Sequence, residues 1–136
     1  MNARFDPPTT VFLCDDAPPL RQMLRAFLEL EGGIVVVGEA GDGHGLAEAV
    51  RDAGADVVVL DVSMPRVDGL SALAELRAAG GDVGVVVLSG CEPGATASKA
   101  LALGADRYLE KSAGMEQVGA AVRAVAAERR PRSYSP

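Results

Sequence analysis

The sequence predicts an α/β fold, a doubly wound five-stranded parallel sheet with helices on both faces. Short apolar runs rich in Val and Leu recur five times, and stretches with the apolar spacing of helices lie between them. Glycine or proline falls at the joints between these segments. The runs are continuously apolar, which is typical of strands covered on both faces. Alternating βα units with right-handed crossovers build such an open sheet.

The five predicted strands are the apolar runs, and the fifth is weaker than the others. They lie at residues 11–14, 34–37, 57–60, 83–88 and 108–109.

A helix is predicted after each strand, because apolar residues three and four positions apart share one helix face. The fourth helix, at residues 97–103, is rich in alanine and has only a thin apolar face. The apolar faces of the first, second, third and fifth helices are Leu20, Met23, Leu24, Phe27 and Leu28; Leu46, Ala49, Val50 and Ala53; Leu70, Leu73 and Leu76; and Val118, Ala121, Val122, Val125 and Ala126.

The length of the chain predicts its domain organisation, and its charge excludes some classes of partner. Its 136 residues fit one domain, predicted at residues 9–128, with a short basic tail at 129–136 that is expected to be disordered. The net charge is −6, and residues 1–128 carry ten basic and nineteen acidic residues. An acidic surface repels phosphate backbones, so we expect no direct nucleic-acid binding. No apolar stretch is long enough to span a bilayer and no signal peptide is evident, so we expect no membrane association and a cytoplasmic protein.

Polar residues follow the predicted strands where an open α/β sheet binds its ligands. Asp15 and Asp16 follow the first strand, Asp61 the third, Ser89 the fourth and Lys111 the fifth. Neighbouring strands lie about 4.8 Å apart, so carboxylates at their ends come close together. Clustered carboxylates repel one another unless a cation joins them, and a few oxygen ligands completed by water suit Mg²⁺. The sequence therefore predicts a magnesium site at this edge of the sheet.

These residues carry a resemblance to a known family. The residues concerned are the Asp15–Asp16 pair, Asp61 with Ser63–Met64–Pro65 and Asp68–Gly69 after it, Ser89, and Tyr108 with Lys111. Each element alone is weak, but in this order and spacing they are specific. Over residues 9–128 the chain resembles the receiver domain of bacterial two-component response regulators. The resemblance implies a flavodoxin-like sheet with strand order 2-1-3-4-5.

The resemblance also implies a role for each site residue. Asp61 would accept a phosphoryl group from a phosphohistidine on a sensor histidine kinase. Lys111 and Ser89 would contact the phosphoryl oxygens, and Ser89 with Tyr108 would switch the output surface. The protein would then be a phosphoacceptor switch that assists its own phosphorylation and dephosphorylation, not an enzyme acting on a separate substrate. The implied Mg²⁺ ligands are Asp15, Asp16, Asp61 and the backbone carbonyl of Ser63.

Three classes of function compete at this point. A stand-alone signalling protein that acts through protein contacts, with a weak homodimer possible, is favoured. The alternative is the N-terminal receiver of a truncated DNA-binding transcription regulator. A flavodoxin-type ligand module is disfavoured, because the loop at residues 15–19 is acidic and short of amide donors. The cognate kinase and the output target cannot be predicted from this sequence.

Several positions near the site allow a simpler interpretation. Asp16 could merely cap the first helix, and Tyr108 could be a half-buried strand residue with its hydroxyl in water. His44 is expected to be an exposed loop residue. Gly38, Gly41, Gly43 and Gly45 match no nucleotide-binding motif and are predicted to form a turn that leads into the second helix.

Four further positions concern the loops near the site and the two thiols. Most receivers have Pro after the lysine, whereas this chain has Ser112, so the loop is expected to be either trans or strained. Gly90 stands where a small Ala is usual and should loosen the loop after Ser89. Cys14 and Cys91 are expected to lie too far apart for a disulfide.

Overall fold

The structure, a computed structural model, describes residues 7–63, 69–90 and 94–129. Five parallel strands form one sheet in the order β2-β1-β3-β4-β5, which confirms the predicted fold class and strand order. The strands are β1 Thr9–Cys14, β2 Ile34–Ala40, β3 Val57–Asp61, β4 Gly84–Ser89 and β5 Arg107–Glu110. The helices are α1 Pro18–Leu30, α2 Leu46–Ala53, α3 Gly69–Ala78, α4 Gly94–Ala102 and α5 Met115–Arg129, with a 3₁₀ turn at Lys111–Ala113.

Apolar side chains cover both faces of the sheet. Val57 and Val59 of β3 pack in the core under α1 and α5, whereas Val58 and Leu60 pack in the core under α2 and α3. All five residues of β3 are buried, as a continuous apolar run predicts. Each such side chain contributes about 1.5–3 kcal/mol on burial, so the central strands fix the frame that carries the site.

Strand β2 is longer than predicted. It continues to Ala40, and its register with β1 shifts between Val11 and Phe12, where a bulge leaves Val37 as the extra residue. Gly38 therefore belongs to the strand, and its assignment to the turn was wrong. A Cβ at Gly38 would lie 2.5 Å from Cε2 of Phe12, so the absent side chain lets the strand pass this ring.

The predicted helices are present, but α1 and α4 bury few of their apolar side chains. In α1 Leu24 and Leu28 are buried, whereas Met23, predicted on the same face, is 58% exposed. Of the α4 side chains that the structure describes, only Ala100 is buried, and Leu101 is 51% exposed. The thin apolar face predicted for this helix is thus confirmed.

The last helix reaches one residue into the predicted tail. Arg129 ends α5, and its Nε donates to both carboxylate oxygens of Asp106 at 2.9 and 3.0 Å. Residues 130–136 lie outside the described residues. Within the described ranges, no helix is both long and apolar enough to cross a membrane.

Candidate functional site

The carboxyl ends of four neighbouring strands bring the predicted site residues to one edge of the sheet. Asp61 ends β3 beside Leu88 of β4, and Asp15 follows β1, which lies on the other side of β3. Ser89 ends β4 and Lys111 follows β5. Carboxylate oxygens of Asp15, Asp16 and Asp61 all lie within 4.8 Å of one another. The predicted convergence of these three acids is therefore present.

Both carboxylate oxygens of Asp61 are held by hydrogen bonds. Oδ1 accepts the backbone N–H of Ser63 at 2.8 Å and its hydroxyl at 2.7 Å, and Oδ2 accepts Nζ of Lys111 at 2.9 Å. The residue is 1% exposed. Gly69 permits this arrangement, because a Cβ there would lie 2.4 Å from Cα of Val62. The start of α3 thus packs directly on the backbone that follows Asp61, which fixes the carboxylate at the floor of the site.

Lys111 brings a positive charge to the site. Its Nζ lies 2.9 Å from Oδ2 of Asp61 and 3.7 Å from Oδ2 of Asp15. Partial burial opposes the charged ammonium, but the hydrogen bond and the charge of Asp61 outweigh it, so the pKa of Lys111 is raised. Lys111 is therefore charged at neutral pH, and its flexible stem lets it change oxygen partners.

Asp15 offers a buried carboxylate oxygen to a metal ion. Its Oδ1 accepts the N–H of Ala17 at 2.8 Å, whereas Oδ2 is buried and has no hydrogen-bond partner in the part of the chain that the structure describes. Burial raises the pKa of Asp15, and the charge of Asp61 adds to this, while the hydrogen bond from Ala17 opposes it. A buried, unsatisfied oxygen beside two further carboxylates fits a hard divalent cation such as Mg²⁺.

Asp16 is exposed and does not cap α1. The N-cap residue is Ala17, which makes no side-chain capping bond, and prolines occupy the first helical positions. Proline has no N–H, so fewer donors at this helix end need an acceptor. The simpler interpretation of Asp16 as a helix cap is therefore wrong.

Ser63 makes a side-chain contact that was not predicted from the sequence. Besides its bonds to Asp61, its Oγ accepts the N–H of Gly90 at 3.3 Å and so joins the loops after β3 and β4. The resemblance assigned only the backbone carbonyl of Ser63, and its metal role stays a prediction. A short hydroxyl side chain two residues after an Asp is typical of local turns, and that signal could have revealed the contact.

Tyr108 lies on the α4 side of the sheet. Its ring packs against the core formed with α2 and α3, and its hydroxyl is buried with no hydrogen-bond partner among the described residues. The interpretation that this hydroxyl is in water is therefore wrong. Ser89 is buried at the end of the adjacent strand. Their roles as switch residues stay predictions.

The structure also tests the expectations for the Lys111–Ser112 bond, His44 and Gly90. The Lys111–Ser112 bond is trans, within a short 3₁₀ turn, and His44 is exposed as expected. A Cβ at Gly90 would meet Cδ of Lys111 at 3.6 Å, an ordinary contact, so space alone does not require glycine there.

Cys14 is buried under the site. Its Sγ donates to the carbonyl of Asp42 at 3.3 Å, and burial raises its pKa to about 12. A thiol with so high a pKa is unreactive at neutral pH. Four residues named in the sequence analysis, Met64, Pro65, Asp68 and Cys91, lie outside the described residues.

Comparison with known proteins agrees with this geometry. Residues 11–123 match the family model of the response regulator receiver domain. The chain belongs to this family. Receiver domains are the phosphorylation-responsive modules of two-component systems, and this membership decides against the flavodoxin-type ligand module.

This receiver domain is similar to parts of longer proteins. It is 34% identical over 117 residues to the nitrate/nitrite response regulator NarP of Escherichia coli, covering 86% of this chain and 54% of NarP. It is 40% identical over 115 residues to a protein-glutamate methylesterase/protein-glutamine glutaminase of Symbiobacterium thermophilum, covering 84% of this chain and 32% of that protein. The chain thus spans about half or less of the length of these relatives.

A solved structure shows the same fold. The receiver domain of the response regulator NarL from Mycobacterium tuberculosis superposes with a TM-score of 0.85 at 31% identity, covering 91% of this chain and all of that domain. A superposition of this coverage compares the backbone fold, so the receiver fold is shown independently of the site residues.

Proposed function

We propose that Asp61 accepts a phosphoryl group from a phosphohistidine of a sensor histidine kinase, with Mg²⁺ held beside it. The ligands would be Asp15, Asp16, Asp61 and the backbone carbonyl of Ser63. One observation carries the proposal: in a receiver domain, three carboxylates converge within 4.8 Å and the ammonium of Lys111 lies 2.9 Å from Asp61. We place the exchange in the cytoplasm and assign no nucleic-acid contact to this acidic domain.

The proposed reaction exchanges one bond for another. An oxygen of Asp61 attacks the phosphorus, the P–O bond forms as the P–N bond breaks, and the imidazole nitrogen keeps the electron pair. Ser63 releases Oδ1 during this step, and Lys111 moves from the carboxylate to a phosphoryl oxygen while Ser89 donates to another. When bound, Mg²⁺ supplies divalent charge that offsets the repulsion between carboxylate and phosphoryl anions.

The metal requirement can be tested with a small phosphodonor. With acetyl phosphate we expect wild-type protein to be labelled in Mg²⁺ and unlabelled in EDTA. Asp16→Ala should label on the order of a hundredfold more slowly, because loss of about 2.7 kcal/mol of charge stabilisation costs that factor. Asp52→Ala removes an exposed carboxylate of α2 and should label normally. Wild-type labelling of Asp16→Ala would contradict the proposed metal site.

The output would arise at the surface formed by α4, β5 and α5. We propose that a phosphoryl group on Asp61 draws Ser89 and Lys111 inward, and that Tyr108 passes this change to α4. Two observations support the relay: Tyr108 already packs against the core on the α4 side, and Ala100 is the only described α4 side chain that is buried. Weakly packed elements are the ones that move at low cost.

The relay predicts where amide hydrogen exchange responds to beryllofluoride, a phosphoryl mimic. We expect the changes in wild-type protein to concentrate at residues 89–111, including α4, because the charge change at Asp61 biases a two-state element there. Asp61→Asn should show no response and serves as the control. A response confined to the loops after β1 and β3 would mean that the phosphoryl group is accepted without this relay.

Two forms of output fit this switch. In the first, the domain acts as a stand-alone signalling protein through protein contacts, with a weak homodimer possible. In the second, it is the receiver of a DNA-binding transcription regulator. The similarity to NarP, of which this chain covers only 54%, supports a longer response regulator as the source of the domain. An antibody against this domain, used on lysate of the source cells, distinguishes a band near 13.9 kDa from a larger one.

A further inference from the structure

The polar atoms of Asp15 are anchored in three directions. Its N–H donates to the carbonyl of Ala40 at 3.0 Å, and its Oδ1 accepts the N–H of Ala17 at 2.8 Å. Its backbone carbonyl accepts Nη1 of Arg21 at 2.5 Å. Only Oδ2 has no hydrogen-bond partner within the described ranges. The residue is therefore held so that one buried carboxylate oxygen is left for a ligand.

Arg21 is itself fixed from the edge of the sheet. Its Nε donates to Oε1 of Glu39 on β2 at 3.0 Å, and Nη1 of Arg25 donates to Oε2 of the same carboxylate at 2.9 Å. The side chain of Arg21 is only 19% exposed. A planar guanidinium can contact Glu39 and the carbonyl of Asp15 at once, which a lysine ammonium does not reproduce.

We propose that Arg21 is a positioning residue for the Mg²⁺ site. It would hold the turn at Asp15 and Asp16 so that both acids face Asp61. Such a brace is needed because the like charges of Asp15 and Asp61 repel each other before a cation binds. The N-cap residue Ala17 makes no side-chain capping bond that could hold the loop, so the brace comes from Arg21, the fourth residue of α1. This inference rests on the proposed function.

A charge effect and a positioning effect of Arg21 predict opposite changes in Mg²⁺ affinity when this side chain is removed. Arg21 is a cation beside the site, so if only its charge mattered, its removal would tighten Mg²⁺ binding. If it positions the acids, its removal weakens binding. Arg25 is a matched control, because it makes the same kind of bond to Glu39 but, in the part of the chain that the structure describes, no hydrogen bond or ion pair to Asp15.

Isothermal titration with Mg²⁺ alone tests the inference, with melting temperatures in EDTA as a check on folding. We expect Arg21→Ala to weaken Mg²⁺ binding roughly tenfold, as loss of outer contacts to metal ligands typically does. Arg21→Lys should also weaken it, although the charge is kept. Arg25→Ala should stay within about twofold of wild type, since it loses only two partly exposed ion pairs, to Glu29 and Glu39.

The outcomes separate this inference from the proposed function. If the wild type binds no Mg²⁺, the proposed metal site is wrong. If the wild type binds and Arg21→Ala binds equally or more tightly, Arg21 has no positioning role. If Arg21→Ala does not fold, Glu39→Gln, which removes the charge that fixes Arg21, is expected to bind Mg²⁺ several-fold more weakly, and unchanged binding would overturn the inference.

Discussion

Asp61→Asn is expected to carry no acid-labile phosphate after incubation with acetyl phosphate and Mg²⁺, while its fold stays intact. The amide keeps Oδ1 as an acceptor for the N–H and hydroxyl of Ser63, at 2.8 and 2.7 Å in the wild type. It replaces the attacking anion with a neutral group, and its NH₂ would face Nζ of Lys111 without accepting from it. Intact-mass spectrometry before and after acid treatment measures the loss.

The control for this result is Asp52→Asn, which makes the same chemical change on the exposed surface of α2. It should be phosphorylated like the wild type. Peptide mapping of the wild type should place the phosphate on Asp61. Phosphate found on Ser63 or Ser89 instead would show that the nucleophile has been misidentified.

Asp15→Asn should stabilise the fold in EDTA and at the same time abolish Mg²⁺ binding and labelling. The pKa of Asp15 is raised above its ordinary value of 3.8, chiefly by burial, so the folded state disfavours the ionised form. The resulting penalty is fully present above the folded-state pKa and disappears as the pH falls below the unfolded-state value. Asparagine keeps the Oδ1 acceptor for the N–H of Ala17 and removes the charge.

Urea unfolding at neutral pH measures this difference. In EDTA we expect Asp15→Asn to gain free energy of unfolding in the range of about 0.5–2 kcal/mol that single stabilising substitutions commonly reach. The gain should shrink as the pH falls below the folded-state pKa, and saturating Mg²⁺ should reverse the order by stabilising only the wild type. Asp82→Asn, at an exposed acid, should show none of these effects. A less stable Asp15→Asn in EDTA would contradict the argument.

The fold and the central site residues follow from local patterns in the sequence. Continuous apolar runs identify buried parallel strands, and such strands must bring their carboxyl ends to one edge. Asp15, Asp61 and Lys111 are each the first or second polar residue at a strand end, so their convergence needs no knowledge of side-chain contacts. This is why the three-carboxylate cluster could be predicted before the structure.

Contacts between distant segments could not be predicted in the same way. The bulge in β2 lies where Gly38 packs against the ring of Phe12 on β1. The spacing of residues along β2 alone does not predict a contact with another strand. The bond from Arg21 to the carbonyl of Asp15 depends on the direction in which α1 leaves the sheet. An arginine in that helix looks like any other solvated residue until the helix is placed.

If α4 relays the signal as proposed, its thin packing would limit the ratio between the signals with and without phosphate. Burial of one methyl-sized group such as Ala100 contributes about 0.8 kcal/mol, only slightly more than thermal energy. If displacement of α4 lost this contact alone, we would expect the displaced state to be sampled without any phosphoryl group. The unmodified protein would then have a basal output, and phosphorylation would amplify an existing equilibrium. This basal output would set an upper limit on the ratio between the signals of the phosphorylated and unmodified protein. A larger side chain at position 100 would change the basal output and therefore that limit.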